Sequence, residues 1–276
     1  MSTHQDQSVG DSASASPQVH TARSARRGGG RWMASLLIVA AIAFSLGFIG
    51  RRWWDERPRS AKLPPDGAPR PIMADYYRML ADQFAIADPH VPAGSIVWLG
   101  DSITDFMRID DLVESDRALV NRGISGDTTA GVLERIRRGF PAGAAACVLM
   151  IGHNDLARGA DPGATADRVG EICAILRERH GVSRVLVEGM LPSTRVPPER
   201  VAALNLAVQE RIRGRDGCRW IQLDDKTPGR SWDASAFCDG VHLSAAGVRQ
   251  RLRRELQELR VEVPEATLKL REAANP

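Results

Sequence analysis

Residues 95–104 read SIVWLGDSIT, an apolar run that passes directly into a Gly-Asp-Ser turn. The run Ser95–Leu99 is nearly all apolar, which predicts a short strand buried on both faces. A serine on a sharp turn from strand to helix exposes its hydroxyl and aims its own backbone N–H at a developing oxyanion. Ser102 is therefore a candidate nucleophile, with ordinary turn chemistry as the alternative. The missing second glycine of G-x-S-x-G argues against an α/β-hydrolase.

Similar apolar runs recur along the chain, and helix patterns separate them. The further predicted strands are Ala118–Asn121, Ala146–Ile151, Arg184–Met190 and Arg219–Leu223. A helix is predicted over Ile72–Ala87, before the first strand, and later helix patterns carry apolar residues at i, i+3, i+4 and i+7. Short apolar strands separated by helices predict an α/β fold with a five-stranded parallel sheet covered on both faces. Reacting groups in such a sheet belong at the carboxyl ends of the strands.

Asp239 and His242 lie three residues apart in one loop near the C-terminus. A serine hydroxyl needs a neutral imidazole to accept its proton and a carboxylate to orient that ring. One loop can present both groups to Ser102, which predicts a Ser102–His242–Asp239 triad. A surface aspartate and an incidental histidine are the alternative for the pair taken alone. Asp224 and Asp225, at the end of the fifth strand, are rival candidates for the acid.

Two more strand-end loops carry groups that can bind an oxyanion. Gly123 lies in the stretch NRGISGD, and a glycine lets its backbone N–H approach a ligand closely. Asn154 lies in the stretch GHND and offers a side-chain N–H. Each is an ordinary turn residue when considered singly. Together, the Ser102 N–H, the Gly123 N–H and the Asn154 amide predict an oxyanion hole with three donors.

Residues next to these candidates have plainer interpretations. Asp101 and Asp155 are expected to make local turn or capping hydrogen bonds. Asp127 and Ser244 are predicted N-caps of the helices that follow them. His153 is expected in the wall of a pocket, with a structural role equally open. Arginines on two later helices are interpreted as solvated faces, namely Arg135, Arg137, Arg138 and the group from Arg249 to Arg254.

Ser102, Gly123, Asn154 and His242 stand in GDS, N-x-G, G-x-N-D and D-x-x-H settings, in the order that gives SGNH hydrolases their name. Over roughly residues 75–260 the chain resembles this SGNH/GDSL hydrolase family. The resemblance implies a flavodoxin-like three-layer α/β/α domain, no metal or cofactor, and ester hydrolysis through an acyl-serine. The stretch NRGISGDTTAGVLERI is also similar to the catalytic subunits of platelet-activating-factor acetylhydrolase, whose members remove a short acetyl group.

The predicted reaction is therefore hydrolysis of an acetyl or short acyl ester on a small molecule, a carbohydrate, a lipid or a cell-wall glycan. An acyltransferase would use the same acyl-serine, with a sugar hydroxyl in place of water. A non-catalytic surface binding module on the same fold is a third alternative.

The distribution of charge argues against a nucleic-acid partner. Residues 1–62 hold nine basic and four acidic residues, whereas the remaining chain holds 28 basic and 30 acidic residues, so the main domain has no excess of positive charge.

The N-terminal region reads as a membrane anchor. Met33–Gly50 is 18 residues without a charge, and a helix of that length reaches about 27 Å. Trp32 and Trp53 flank it as interfacial aromatics do, although a buried soluble helix and a signal peptide are alternatives. The arginine-rich tail is expected inside and the catalytic domain outside, in a periplasmic or other extracytoplasmic location. The predicted divisions are a disordered basic tail (1–32), the anchor (33–50), a linker (51–71), the hydrolase domain (72–262) and a flexible tail (263–276).

The cysteines favour neither a zinc site nor a thioredoxin-like site, because no two of them form a C-x-x-C pair. Cys147 and Cys173 fall in apolar patterns and are expected to be buried. Cys218 and Cys238 can pair if the domain lies outside the cytosol.

Overall fold

The computed structural model describes residues 71–223 and 232–272. The predicted basic tail and membrane anchor, and all but the last residue of the predicted linker, lie outside these ranges. The rival acids Asp224 and Asp225 lie outside them as well. Within the two described ranges, no helix has the length and apolar character that a membrane span requires.

Strands and helices alternate along most of the described chain. The strands are β1 Ile96–Gly100, β2 Val113–Ser115, β3 Leu119–Gly123, β4 Ala146–Met150, β5 Arg184–Glu188, β6 Cys218–Ile221 and β7 Leu268–Leu270. The helices are α1 Pro71–Ala87, α2 Ser102–Asp105, α3 Ile109–Leu112, α4 Thr129–Arg138, α5 His153–Ala157, α6 Pro162–Ala174, α7 Pro198–Ile212 and α8 Ala245–Glu262. Short 3-10 turns at Asp88–His90 and Ala234–Ala236 and a π-helical turn at Ile175–Arg179 complete the order.

Five strands form a parallel sheet in the order β3-β1-β4-β5-β6, which confirms the predicted α/β fold. The five predicted strands match these within two residues at each end. Gly100, the last residue of β1, pairs in register with Gly123 of β3 and with Met150 of β4. The loops that follow these three strands therefore begin side by side at one edge of the sheet.

Helices cover both faces of this sheet. On one face, Trp98 of β1 donates its indole N–H to Glu255 of α8 at 2.8 Å, and Arg219 of β6 pairs with Glu258 of the same helix. Because side chains alternate along a strand, the neighbouring residues point to the opposite face. The helices α4, α6 and α7 pack against one another and contribute their apolar residues to the same buried core. The result is a three-layer α/β/α arrangement, as the resemblance implies.

The C-terminal segment departs from the prediction. Leu268–Leu270 forms the strand β7, which pairs antiparallel with β2 at Val113–Ser115. A flexible tail over residues 263–276 is therefore the wrong prediction for this part, and β2 is not predicted at all. Both strands have only three residues, which is too short for a hydrophobic period to show.

The two predicted helix caps have different outcomes. Ser244 accepts a hydrogen bond from the Gly247 N–H and caps α8, as predicted. At the start of α4 the cap is Thr128, which accepts from the Gly131 N–H. Asp127 is not the cap, because its carboxylate forms a buried ion pair with Arg135 at 2.9 Å.

Candidate active site

The turn after β1 places Ser102 at the first position of α2. A side chain at Gly100 would put its Cβ 2.5 Å from the Met150 carbonyl oxygen, so the tight exit from the sheet requires glycine. Asp101 caps the helix by accepting from the Ile103 N–H at 3.0 Å. Ser102 is half-buried, and its own N–H belongs to the first turn, where a helix offers no backbone acceptor.

The structure brings the three predicted triad residues together. Ser102 Oγ lies 2.9 Å from His242 Nε2. His242 Nδ1 lies 2.8 Å from Asp239 Oδ2 on the other side of the ring. This order places an imidazole between a hydroxyl and a carboxylate, an arrangement that can remove the hydroxyl proton as the oxygen attacks an electrophile.

Asp239 is held in its ionised form by its own loop. It accepts from the His242 backbone N–H at 2.8 Å, from the His242 ring, and from the Val241 N–H at 3.0 Å. These hydrogen bonds, with the His242 backbone N–H contributing most, keep the pKa of Asp239 well below its usual range. The carboxylate is 43% exposed, so solvent assists in stabilising its charge.

Asn154 lies beside the nucleophile turn. Its side-chain nitrogen donates to the Asp127 carbonyl oxygen at 2.9 Å and lies 3.5 Å from Asp101 Oδ2. An amide nitrogen carries two hydrogens. One of them is donated to Asp127, and within the described residues the other has only the long contact with Asp101. That second N–H is the one that can serve a bound oxyanion.

Gly123 does not occupy the predicted role. Its N–H donates to Asn121 Oδ1 at 2.8 Å, so the predicted oxyanion donor is already engaged within the protein. The glycine is explained by packing, because a Cβ at this position would lie 2.2 Å from the Asp105 nitrogen of α2. The assignment of Gly123 therefore requires correction.

Gly126, three residues later, is a candidate donor that the sequence-based assignment missed. Its neighbours Ile124, Ser125 and Asp127 all donate their backbone N–H groups to protein oxygens. In the described part of the chain, no such acceptor faces the Gly126 N–H. Its φ of 81° lies in the left-handed region that glycine adopts without cost. The Ser-Gly-Asp turn is the sequence signal that favours this residue.

Buried acids lie beneath the nucleophile turn. Burial raises the pKa of Asp101 to about 7, against the opposing effect of the Ile103 N–H. A carboxyl with this pKa is partly neutral at neutral pH, which reduces the negative charge beside Ser102. Asp155 accepts from both the N–H and the hydroxyl of Thr129, at 2.9 and 2.6 Å. It therefore fixes the start of α4, so its hydrogen bonds are of the predicted capping kind, but they join a helix 26 residues away and not a local turn.

His153 forms a second serine–histidine contact near the triad. Its Nε2 lies 2.8 Å from Ser193 Oγ, and the residue is 4% exposed. Burial, assisted by the positive charge of Arg195, lowers the pKa of His153 to about 4, so the ring is neutral at neutral pH. No carboxylate is found on the other ring nitrogen within the described residues, which distinguishes this pair from the one at Ser102.

The loop after β5 supports the triad loop. Thr194 donates its N–H to the Gly240 carbonyl oxygen at 2.9 Å, and a Cβ at Gly240 would lie within 2.6 Å of the Thr194 side chain. Arg195 lies 3.7 Å from Asp239 in an exposed ion pair, an interaction that contributes little. The Phe106 ring lies 5.2 Å from the His242 ring and bounds the site on the α2 side.

No cluster of three or more metal-ligating side chains is found among residues 71–223 and 232–272.

Comparison with known proteins identifies the class. Residues 98–250 match the GDSL-like lipase/acylhydrolase family, and the chain belongs to this family of ester-cleaving enzymes. No curated protein matches the chain.

Solved structures of similar fold include a protein provisionally described as a platelet activating factor from Streptococcus pneumonia, with 19% identity and a TM-score of 0.61 over 68% of this chain and 94% of that chain. A lipase/acylhydrolase from Enterococcus faecalis has 21% identity and a TM-score of 0.48, and the match covers 65% of this chain and 99% of that chain. The acetylxylan esterase Axe2 from Geobacillus stearothermophilus has 18% identity and a TM-score of 0.46, and the match covers 61% of this chain and 95% of that chain.

Proposed function

We propose that this enzyme hydrolyses a small acyl ester through a covalent acyl intermediate on Ser102. The hydrogen-bonded chain from Ser102 through His242 to Asp239, with both distances below 3 Å, supports this role. In the described part of the chain, the other serine–histidine contact, at His153 and Ser193, lacks an orienting carboxylate.

The first half of the reaction forms the acyl-enzyme. His242 Nε2 accepts the Ser102 proton as Oγ attacks the carbonyl carbon, and the carbonyl oxygen becomes an oxyanion. The imidazolium then donates its proton to the leaving alkoxide. In the second half, His242 removes a proton from water, the hydroxide attacks the acyl carbon, and Ser102 recovers its proton as the acid leaves. Asp239 keeps the proton on Nδ1 throughout, so that Nε2 faces the serine.

Three donors stabilise the oxyanion in this proposal: the Ser102 N–H, the Gly126 N–H and one N–H of the Asn154 amide. Gly126 replaces the Gly123 of the sequence-based assignment, because the Gly123 N–H is engaged by Asn121. Donors already held in place cost no reorganisation when the charge develops, which is why they stabilise the transition state effectively.

The acyl group is an acetyl or another short chain, and its carrier is a carbohydrate, a lipid or a cell-wall glycan. The likeness of NRGISGDTTAGVLERI to acetyl-removing enzymes supports the short acyl group. The uncharged stretch Met33–Gly50 supports a single-pass anchor. The arginine-rich tail that precedes it supports an extracytoplasmic location for the enzyme, where cell-wall glycans lie.

Labelling with a fluorophosphonate tests the nucleophile. Ser102→Ala should abolish labelling and hydrolysis of p-nitrophenyl acetate, whereas Ser193→Ala, which removes the other histidine-bonded hydroxyl, should keep the label. A label that maps to Ser193 would overturn the proposal.

An ester series of increasing acyl length tests the substrate class. kcat/KM should be greatest for acetyl and should fall as the chain lengthens. A maximum at long chains would contradict the short acyl group, and acyl product that rises with added glycan acceptor would instead indicate an acyltransferase.

A further inference from the structure

Three of the four cysteines lie on one face of the sheet. Cys147 of β4 and Cys218 of β6 are both register partners of Val185 in β5. Register partners on neighbouring parallel strands point to the same side, so both thiols face the helices α6 and α7. Cys173 on α6 lies over this face, where it shares a surface cleft with Cys218. None of these residues takes part in the proposed hydrolysis.

The sheet itself excludes one pairing within this cluster. Cys147 and Cys218 are separated by the whole of β5, which places their Cα atoms roughly 9–10 Å apart. A disulfide cannot span Cα atoms separated by more than about 7 Å. Cys173 and Cys218, by contrast, line the same surface cleft, and each thiol shifts the pKa of the other. The pairing of Cys218 with Cys238 is not formed, since all four cysteines are free and the Cys238 thiol contacts the Leu243 carbonyl oxygen.

The surroundings make the two thiols unequal. Both line a cleft of about 280 Å³ that also contains Arg177 and Arg215, and Cys218 is half-buried whereas Cys173 is completely buried. Interaction with the neighbouring Cys173 thiol, and after it the positive charges of Arg177 and Arg215, lower the pKa of Cys218. The same interaction and burial raise the pKa of Cys173. A thiolate is the attacking species in disulfide exchange, so Cys218 is the one poised to react first.

We propose that Cys218 and Cys173 are the attacking and resolving thiols of a disulfide site that joins β6 to α6. The Cys218 thiolate attacks one sulfur of an external low-molecular-weight disulfide and releases one thiol, which takes up the proton that Cys218 has lost. Cys173 then loses its proton and attacks the Cys218 sulfur of the mixed disulfide, which releases the second thiol. Two protein thiols are oxidised and one external disulfide is reduced.

This bond lies away from the catalytic edge. Cys218 is the first residue of β6, at the amino end of the sheet, whereas Ser102 follows the carboxyl end of β1. Esterase activity should therefore be the same in the reduced and oxidised protein. The bond closes a long loop between residues 173 and 218, which is expected to raise the Tm by an amount on the order of 5–10 °C.

Peptide mapping of the full-length protein tests the proposal. The reduced protein is incubated with glutathione disulfide, quenched with acid, alkylated and digested without reductant. The expected product joins the Cys173 and Cys218 peptides and has lost two hydrogen atoms. Cys147→Ala and Cys238→Ser should form the same link, because neither thiol takes part. Cys173→Ser should stop at a glutathione adduct on Cys218.

Two results would overturn the proposal. One is a stable glutathione adduct on Cys218 of the unsubstituted protein, without release of the second glutathione. The other is a link that contains Cys147 or Cys238. Both are read from the unsubstituted protein, so they decide the matter even if the Cys173→Ser variant does not fold. Neither depends on esterase activity, so this test and that of the proposed function fail independently.

Discussion

Arg251 and Glu188 form an ion pair in which both side chains are completely buried, with Arg251 Nη2 lying 2.6 Å from Glu188 Oε2. Glu255 joins them at 2.7 Å from Arg251 Nε. The same guanidinium donates to the Ile103 carbonyl oxygen at 3.2 Å and lies 3.4 Å from Thr104 Oγ1. Arg251 therefore connects the end of β5 to α2, the short helix that begins with the nucleophile.

Removal of Arg251 should lower the free energy of unfolding. Arg251→Met fills a similar volume but leaves the buried carboxyls of Glu188 and Glu255 without their cation. Breaking a buried pair in this way costs roughly 3–5 kcal/mol of the free energy of unfolding. Urea denaturation measures the loss. Arg253→Met, at an exposed position on the same helix, should change the free energy of unfolding by about 0.5 kcal/mol or less. Equal effects of the two substitutions would contradict the structural role of Arg251.

Glu188 should make the folded protein less stable as the pH rises. Burial raises the pKa of Glu188 well above its usual value, and Glu255 adds to this effect although Arg251 opposes it. Glu188 therefore holds its proton to a higher pH in the folded state than in the unfolded chain, where a glutamate carboxyl titrates at about pH 4.3, and the ion pair with Arg251 forms above that raised pKa. The stabilisation is complete below about pH 4.3 and is lost as the pH rises through the raised pKa.

Glu188→Gln keeps the side-chain shape but has no carboxyl to titrate. It should therefore reduce the slope of the free energy of unfolding against pH. Denaturation at a series of pH values from acidic to alkaline measures it, and Glu199→Gln, at an exposed position, is the matched control. An unchanged slope in Glu188→Gln would assign the pH dependence to other groups.

The sheet and the triad are predictable because their signals are local. The three central strands of the sheet, β1, β4 and β5, each contain a continuous apolar run, and Asp239 and His242 lie three residues apart in one loop. The α/β fold then brings this loop to Ser102, 140 residues away, because reacting groups gather at the carboxyl edge of a parallel sheet.

The buried charges are not predictable in the same way. Arg135 and Arg251 lie on helices whose arginines are normally solvated, so the sequence predicts exposed faces. The structure buries both, since Asp127 and Glu188 supply partners that lie 8 and 63 residues away. The sequence also does not show that the Gly126 N–H lacks an acceptor among the described residues, because this depends on which oxygens the neighbouring N–H groups reach.

Asn154 should matter most when negative charge develops on the substrate. Asn154→Ala removes an amide N–H that has only a long contact with Asp101 in the free enzyme. Loss of one such donor lowers kcat by roughly 10²–10³. KM should change much less, because the ground-state carbonyl needs the donor less. Steady-state kinetics on p-nitrophenyl acetate separates the two constants. A raised KM with unchanged kcat would make Asn154 a substrate-binding residue.

The triad acid is tested by substitution at Asp239. Asp239→Asn removes the negative partner of the His242 ring and favours the wrong tautomer, so kcat should fall by a factor on the order of 10⁴. Asp233→Asn, on the same segment but bonded among the described residues only to Ser235 and the adjoining backbone, should keep near-normal activity. The hydrogen bonds that lower the pKa of Asp239 keep it ionised under mildly acidic conditions. If Asp224→Asn or Asp225→Asn abolishes the reaction while Asp239→Asn leaves it intact, the acid of the triad is one of those residues instead.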